Sequence, residues 1–423
     1  MGGGKSKKRF IQLSLSQSKK LNIYKMFNAV TKEGVPPVTR ESLQKLWKDV
    51  FSQTVSQQMI NYLFRTSETI KVDDVEVLYF KLIEGTAQER AEILVEILGF
   101  EGNISADNFQ IFVSDLVESY IVVLRKKNPE AFSSWVSGDT IEKSDLNLVI
   151  DFFMRDLKYS EQKVAAKELR DWMIRCVFIC DIYESVMKFV FNMEIEEMRP
   201  LLPRANKYSS MLTLPMVLAF SHLVYANMKK DCWRLLYSSL TDAQSWNILS
   251  SNIAKQGPTI ILIEDGVGSL FGGFASQSWK ICPHFYGDEC SFLFRLRPRM
   301  ELYAPTGYNQ NFQYMNQGAA TLPNGLGMGG QLDYFTFYLN SDFGPVTVSK
   351  SCSTYRDYSP FAPVPEFNFS KLEIWGIGSP DVEEENVRVA GSIIYQDPGA
   401  TAILEIAGKS LYSKDLKESL DKE

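Results

Sequence analysis

The chain has 423 residues, with 51 acidic and 45 basic side chains and a formal net charge of -6. Its hydrophobic fraction of 45% is typical of a folded protein, and its length allows two or three domains. A mildly acidic chain argues against general nucleic-acid binding, which needs a clustered basic face, so we expect no nucleic-acid partner.

The apolar stretches of the sequence are too short to span a bilayer. The longest, residues 215–226, includes Ser221 and His222. No apolar segment follows the start, so we predict no secretory signal and a cytoplasmic location. We therefore expect the six cysteines to be reduced thiols and not a disulfide framework.

The first 16 residues read as a membrane-targeting tail. The opening Met-Gly-Gly-Gly-Lys-Ser fits the N-myristoylation pattern, in which Gly2 carries the lipid and Ser6 stands at the required place. One myristoyl chain binds a bilayer only marginally, so a second signal is needed. A cluster that anionic lipid would attract follows at once: Lys5, Lys7, Lys8 and Arg9.

Residues 17–239 are predicted to be helical. Thr39 and Thr86 suit helix N-caps, and Gly99 suits a helix end. Several helices are joined by a short loop that carries one isoleucine: Ile70, Ile104 and Ile141. This helix–loop–helix pattern is similar to the EF-hand.

The loops of this region lack the ligands that calcium needs. If Gly102 is aligned with the loop glycine of an EF-hand, Ile97, Gly99 and Glu101 occupy the first three ligand positions and Asn108 the last. Calcium requires several carboxylate oxygens and ends on a bidentate Glu. We therefore predict a degenerate EF-hand-like region without a metal. A calcium sensor remains one hypothesis for the whole chain, behind the two that are given below.

The second half, residues 240–407, is predicted to be rich in β-structure. Thr259–Ile263 is a short, continuous apolar run, which is typical of a buried strand, and Asp265-Gly266 suits the hairpin turn after it. Many short strands with Gly/Pro turns favour a β-sandwich. The other predicted strands are residues 269–275, 291–296, 331–339, 346–348, 372–375 and 387–395.

Six segments, in order, make this half resemble the TLDc domain family. They are residues 257–265, 271–279, 285–287 and 290–294, the glycine run from Gly325 to Gly330, and residues 372–376. The resemblance implies an α+β protein with a two-layer β-sandwich and flanking helices. It also implies binding to the V-ATPase, a role in mTOR complex signalling, and a peripheral position on the cytosolic face of the lysosomal membrane.

Residues 408–423 form a separate predicted helix. Tyr412, Leu416 and Leu420 recur at helical spacing, but the segment is too short to be stable alone. Such a segment can fold into a groove on a partner. The resemblance implies that the partner is the V-ATPase, so we predict these three residues as a partner-binding set.

Three constellations contain residues that could form an active site, and none favours an enzyme. Cys282, His284 and Cys290 lack a standard zinc or nucleophile–base spacing. Adjacent Glu264 and Asp265 would point to opposite faces of a strand, and a solvated hairpin is the favoured interpretation. The glycine run lacks the Lys of a phosphate loop and suits a tight corner or a close approach. We predict an adaptor without catalytic residues or cofactor; the alternative is a redox-protective or hydrolytic enzyme built on the TLDc domain.

Overall fold

A computed structural model describes residues 15–28, 38–136, 143–224 and 231–380. Helices fill the first half of the chain and two β-sheets dominate the second, so the predicted α+β class is confirmed. No helix among these residues is long and apolar enough to cross a membrane.

Twelve α-helices are described. In chain order they are α1 (Gln17–Asn28), α2 (Arg40–Trp47), α3 (Gln53–Leu63), α4 (Val72–Tyr79), α5 (Ala87–Leu98), α6 (Ala106–Lys127), α7 (Pro129–Trp135), α8 (Lys143–Met154), α9 (Ala166–Arg175), α10 (Val177–Val190), α11 (Leu214–Leu223) and α12 (Trp246–Ile253). A π-helical turn, Phe80–Glu84, continues α4. Thr39 and Thr86 cap α2 and α5 as predicted, because each side chain accepts a hydrogen bond from a backbone N–H in the first turn.

The first nine helices contain two EF-hand-like pairs. In the first, Val38 and Ile70 form an antiparallel bridge between the α1–α2 and α3–α4 units. In the second, the short strands β1 (Asn103–Ser105) and β2 (Lys163–Ala165) pair so that Ile104 faces Val164. Ile70 and Ile104, two of the loop isoleucines noted in the sequence, thus lie in these bridges.

The residue opposite Ile104 comes from a loop that the isoleucine pattern does not single out. It is Val164 of the α8–α9 unit, and Ile141 lies outside the described residues. The loop before Val164 has no glycine; Glu161 and Gln162 adopt left-handed backbone angles, with φ of 51° and 59°. A non-glycine residue in this conformation carries no sequence signal, which explains why the loop was missed.

Thirteen further strands follow. They are β3 (Arg204–Ala205), β4 (Cys232–Ser238), β5 (Thr259–Glu264), β6 (Leu270–Ala275), β7 (Cys282–Tyr286), β8 (Phe292–Arg297), β9 (Glu301–Tyr303), β10 (Gln313–Asn316), β11 (Gly325–Gln331), β12 (Tyr334–Asn340), β13 (Pro345–Val348), β14 (Glu366–Asn368) and β15 (Lys371–Ile377). One sheet has the order β3-β4-β15-β5-β6-β8-β9 and the other β14-β13-β12-β11-β10-β7.

The seven-stranded sheet is covered on both faces. Ile260 and Leu262 of β5 belong to the core shared with the helices, whereas Ile261 and Ile263 belong to the core shared with the six-stranded sheet. A strand buried on both faces has no polar alternation, which is why the run Thr259–Ile263 is continuously apolar. The result is a β-sandwich with helices against one of its outer faces.

Two predictions about this half need correction. The helical region was expected to extend to residue 239, but β4 (Cys232–Ser238) lies between the β3 and β15 strands of the sheet. The tight corner, one of the two roles expected of the glycine run, is not what the run forms, because it is β11, an inner strand of the six-stranded sheet. The predicted strand at residues 387–395 and the helix at 408–423 lie outside the described residues.

Aromatic side chains join the helices to the seven-stranded sheet. The Trp135 ring of α7 lies 5.7 Å from the Trp233 ring of β4 and 5.2 Å from the Trp375 ring of β15. Phe220 of α11 lies 4.6 Å from Phe294 of β8. Because these rings are buried, helices and sandwich share one hydrophobic core.

Candidate interaction surfaces

The predicted lipidation and tail residues fall in the parts of the chain that the structure does not describe. They are Gly2, Lys5, Lys7, Lys8, Arg9, Tyr412, Leu416 and Leu420. Their roles therefore stay predictions.

The cysteine–histidine constellation lies in and beside an edge strand. Cys282 and His284 belong to β7, at the edge of the six-stranded sheet, so His284 is exposed on a strand and not on a loop. Cys290 is half-buried, and burial together with the charge of Asp288 raises the pKa of its thiol. A raised pKa disfavours the thiolate that a nucleophile or metal ligand needs.

The adjacent carboxylates stand at a hairpin turn between β5 and β6 with an exposed tip, as expected, but the Asp265 side chain is buried and not solvated. Asp265 is buried, and its Oδ1 accepts hydrogen bonds from Val267 N at 2.9 Å and Ser269 N at 2.8 Å. Glu264 pairs with Lys371 at 3.1 Å. Asp265 thus fixes the turn between β5 and β6.

The glycine run supplies backbone geometry to a strand. Gly330 has φ of 83°, and a Cβ there would lie 2.2 Å from the carbonyl oxygen of Tyr334 on β12. Only glycine combines that conformation with so close an approach. The close approach expected from the sequence is therefore to the neighbouring strand of the same sheet.

The EF-hand-like loop does not present calcium ligands. Ile97, at the first ligand position, is a buried apolar residue of α5, and Asn108, at the last, lies in the first turn of α6. Within residues 15–28, 38–136, 143–224 and 231–380, no group of three His, Cys, Asp or Glu side chains is placed to hold a metal ion.

One cleft among the described residues is polar and mainly acidic. It has a volume of about 240 Å³ and lies between α10 and the segment that follows it. Two ion pairs on its wall neutralise each other's charges, Lys188 with Glu184 at 2.6 Å and Arg199 with Glu197 at 2.7 Å. Asp181 and Glu196 also line the cleft, so its four acidic and two basic side chains leave it with a net negative charge. Its polar lining differs from the mostly apolar lining of the usual small-molecule site.

Two loop tips of the sandwich expose large side chains on a fixed backbone. Val267, at the β5–β6 turn, is 78% exposed, and Tyr308, after β9, is 82% exposed. Asp265 holds the first tip, and the Thr306 side chain accepts a hydrogen bond from Tyr308 N at 3.1 Å in the second. Strands β5 and β9 run in opposite directions, because three antiparallel pairings separate them (β5–β6, β6–β8 and β8–β9). The turns that follow these two strands therefore leave opposite ends of the seven-stranded sheet. Exposed apolar or aromatic side chains on rigid loops are suitable anchors for a protein partner.

Glu301 of β9 is a buried acid that no sequence pattern singles out, and it is the centre of a hydrogen-bonded cluster. Glu301 accepts hydrogen bonds from the Tyr303 hydroxyl, from Arg295 and Arg299, and from Ser359 Oγ. Burial alone would raise the pKa of Glu301, but these donors lower it to about 2. The cluster fastens the loop that contains Ser359 to strands β8 and β9.

A buried ion pair connects the helices to the sandwich. Arg297, at the end of β8, donates to both carboxylate oxygens of Asp145 in the first turn of α8, with its Nη2 3.0 Å from Oδ2. The Asp145 side chain is 2% exposed and the Arg297 side chain 30%. This ion pair is a directional contact between the helices and the sandwich, in addition to the aromatic contacts of Trp135 and Phe220.

Comparisons with known proteins give a consistent identification. Residues 205–378 match the TLDc domain. The MTOR-associated protein MEAK7 of Xenopus laevis is 32% identical over 386 residues, which cover 83% of this chain and 81% of that protein. The human MTOR-associated protein MEAK7 is 30% identical over 381 residues, 84% of this chain and 82% of that protein.

A second group of relatives is similar over a shorter region. The human nuclear receptor coactivator 7 is 27% identical over 236 residues, which cover 56% of this chain and 23% of that protein. None of these names describes an enzyme. The similarity to the MEAK7 proteins is thus much longer than the domain match itself and includes the helical region.

Proposed function

The chain belongs to the TLDc-domain family of MTOR-associated MEAK7 proteins, and on this premise we propose that it is a membrane-tethered adaptor that binds and regulates the V-ATPase and supports mTOR signalling at the lysosome. The observation that carries the proposal is the length of the similarity. It extends over 386 residues, whereas the TLDc match covers only residues 205–378. The helical region and the sandwich are therefore proposed to act together.

The proposed attachment to the membrane uses two weak signals. A myristoyl group on Gly2 would supply reversible insertion, and the cations at positions 5, 7, 8 and 9 would supply attraction to anionic lipid. Neither signal alone holds a protein on a bilayer, but their free energies add. Tail 1–16 is proposed to be the tether and residues 17–407 the body that binds the partner.

The proposed contact with the V-ATPase has two parts. The loop tips of the sandwich, with Val267 and Tyr308, provide rigid anchors on the body. The predicted helix at 408–423 would fold into a second site through Tyr412, Leu416 and Leu420. Two linked contacts gain from effective concentration, and a bridge between moving and stationary parts of the pump would restrain its rotation.

An adaptor role fits the chemistry of the described residues better than the enzyme alternative. The pKa of the Cys290 thiol is raised, and the Asp265 carboxylate is occupied by hydrogen bonds to backbone N–H groups of its turn. The alternative makes a distinct prediction: substitution of Cys282, Cys290 or Cys352 would abolish an activity while V-ATPase binding stays intact. An adaptor predicts no such separation.

The test is affinity capture of V-ATPase subunits from lysosomal membranes by the intact chain and by variants. We expect Gly2→Ala to move the protein from membranes to the soluble fraction, and deletion of residues 408–423 to weaken capture without that shift. Val267→Asp and Tyr308→Asp, each alone, show which end of the sandwich makes contact. Unchanged capture and unchanged membrane fraction in every variant would contradict the proposal.

A further inference from the structure

One face of the helical region combines lysines without a described ion pair with an exposed leucine and a half-buried phenylalanine. It consists of Leu21 and Lys25 of α1, Lys126 and Lys127 at the end of α6, and Phe189 of α10, and we call it the basic face. Leu21 and Lys25 are four residues apart on a helix, so they lie on one side of α1, and both are exposed.

Contacts of the described residues bring these three helices together. Asn192, just after α10, donates from Nδ2 to the carbonyl oxygen of Asn22 on α1 at 3.4 Å. The ammonium groups of Lys126 and Lys127 lie 5.8 Å and 5.5 Å from the centre of the Phe189 ring, and Phe189 O accepts from Asn192 N at 3.1 Å. These contacts link α1 and the end of α6 to the C-terminal end of α10.

The charge of this surface is left uncompensated. Lys25, Lys126 and Lys127 are exposed, and none of them makes an ion pair within the described residues. Neighbouring lysines of α1 and α10 behave differently, since each has a carboxylate partner: Lys19 with Glu84, Lys20 with Glu76, and Lys188 with Glu184. Glu194, two residues beyond Asn192, is an exposed acid close to this face in the chain.

From this arrangement we propose that the basic face binds an anionic lipid bilayer directly and holds the folded body against the membrane. The proposal rests on the proposed tether at Gly2. The predicted tail ends at residue 16, one residue before α1 begins, so a lipid on Gly2 brings this face to the bilayer at high effective concentration. Lysines flanking an exposed leucine suit a headgroup region, where the cations meet phosphate and the apolar side chain enters the interface.

Three lysines could also attract an acidic segment of a protein, and binding of such a segment is one possible outcome of the test. The bilayer is favoured because the face is next to the predicted lipid anchor in the chain and includes Leu21 and Phe189 as well as cations. Each lysine near an anionic surface contributes about a fivefold change in binding, so removal of three predicts a loss of about 100-fold.

The experiment uses the full-length myristoylated protein and co-sedimentation with vesicles of equimolar phosphatidylserine and phosphatidylcholine. The test variant carries Lys25→Ala, Lys126→Ala and Lys127→Ala. The control variant carries Lys158→Ala, Lys207→Ala and Lys350→Ala, which are exposed lysines elsewhere on the body and give the same change in net charge. Urea midpoints of both variants confirm that they are folded.

A partition coefficient about 100-fold lower for the test variant, with the control within a few fold of the parent, supports the proposal. Equal partitioning of the test and control variants overturns the proposal. If the test variant partitions like the control but loses binding to an acidic peptide, the face binds protein and the proposal is likewise overturned. The tether is scored separately with Gly2→Ala. If that protein partitions like the lipidated one and still depends on the three lysines, the basic face stands and the lipid anchor fails.

Discussion

The ion pair between Asp145 and Arg297 allows a quantitative prediction about how helices and sandwich are held together. Removing one partner of a buried pair costs about 3–5 kcal/mol because the other charge is left without compensation. The Asp145 side chain is 2% exposed and the Arg297 side chain 30%. Arg297 Nη1 also lies 3.9 Å from Glu264 Oε2, so Arg297 retains an acidic partner when Asp145 is removed. Arg297→Ala should therefore cost about 4 kcal/mol and Asp145→Ala about 2 kcal/mol.

The assay is urea unfolding of the full chain, followed by circular dichroism and by tryptophan fluorescence, with the double variant completing a cycle. The matched control is Arg199→Ala, which breaks an ion pair with Glu197 whose side chains are 64% and 61% exposed and should cost below about 1 kcal/mol. If Arg297→Ala costs no more than this control, or less than Asp145→Ala, the reasoning from burial is wrong.

Two further predictions concern the sandwich. Gly272→Ala should cost about 3 kcal/mol or more, because a Cβ there would lie 1.8 Å from the carbonyl oxygen of Ile261, whereas Gly266→Ala, in open space, should leave the urea midpoint nearly unchanged. Equal midpoints would refute this. Glu301 has a lowered pKa, about 2 against an ordinary 4.5, so its contribution of about 3 kcal/mol is present above pH 4.5 and is lost as the pH falls toward 2. Glu301→Gln should flatten stability over that acid range, and an unchanged slope would contradict the assignment.

Strong periodicity and capping made much of the fold predictable from sequence. Thr39 and Thr86 cap helices because their side chains bond backbone groups three residues away, a local interaction that the sequence records directly. The run Thr259–Ile263 predicts a buried strand because both faces of β5 are covered. These features depend on neighbours in the chain and on burial alone.

Other elements depend on contacts that are distant in sequence. Strand β4 has a mixed pattern of burial, and it is specified by its pairing with β15, more than a hundred residues later. Strand β11 is rich in glycine, which intrinsically disfavours strands, and its glycines are required by close approach of β12. No local pattern reports such pairings.

The candidate surfaces show the same division. The cysteine–histidine and acidic constellations were visible because their members are adjacent in sequence, and the structure gives them structural positions. Glu301 and its donors span residues 295–359, and the basic face joins residues 21–25 with residues 126–189, so neither could be recognised before the fold was known.

The central claim is that the chain is an adaptor for the V-ATPase, and binding of the purified full-length protein to lysosomal membranes tests it most directly. The measurement compares membranes that contain the V-ATPase with the same membranes depleted of its cytosolic sector. The adaptor hypothesis predicts saturable binding that falls to the lipid-only level on depletion. Equal binding to both membranes would show that the protein recognises lipid alone and would contradict the claim.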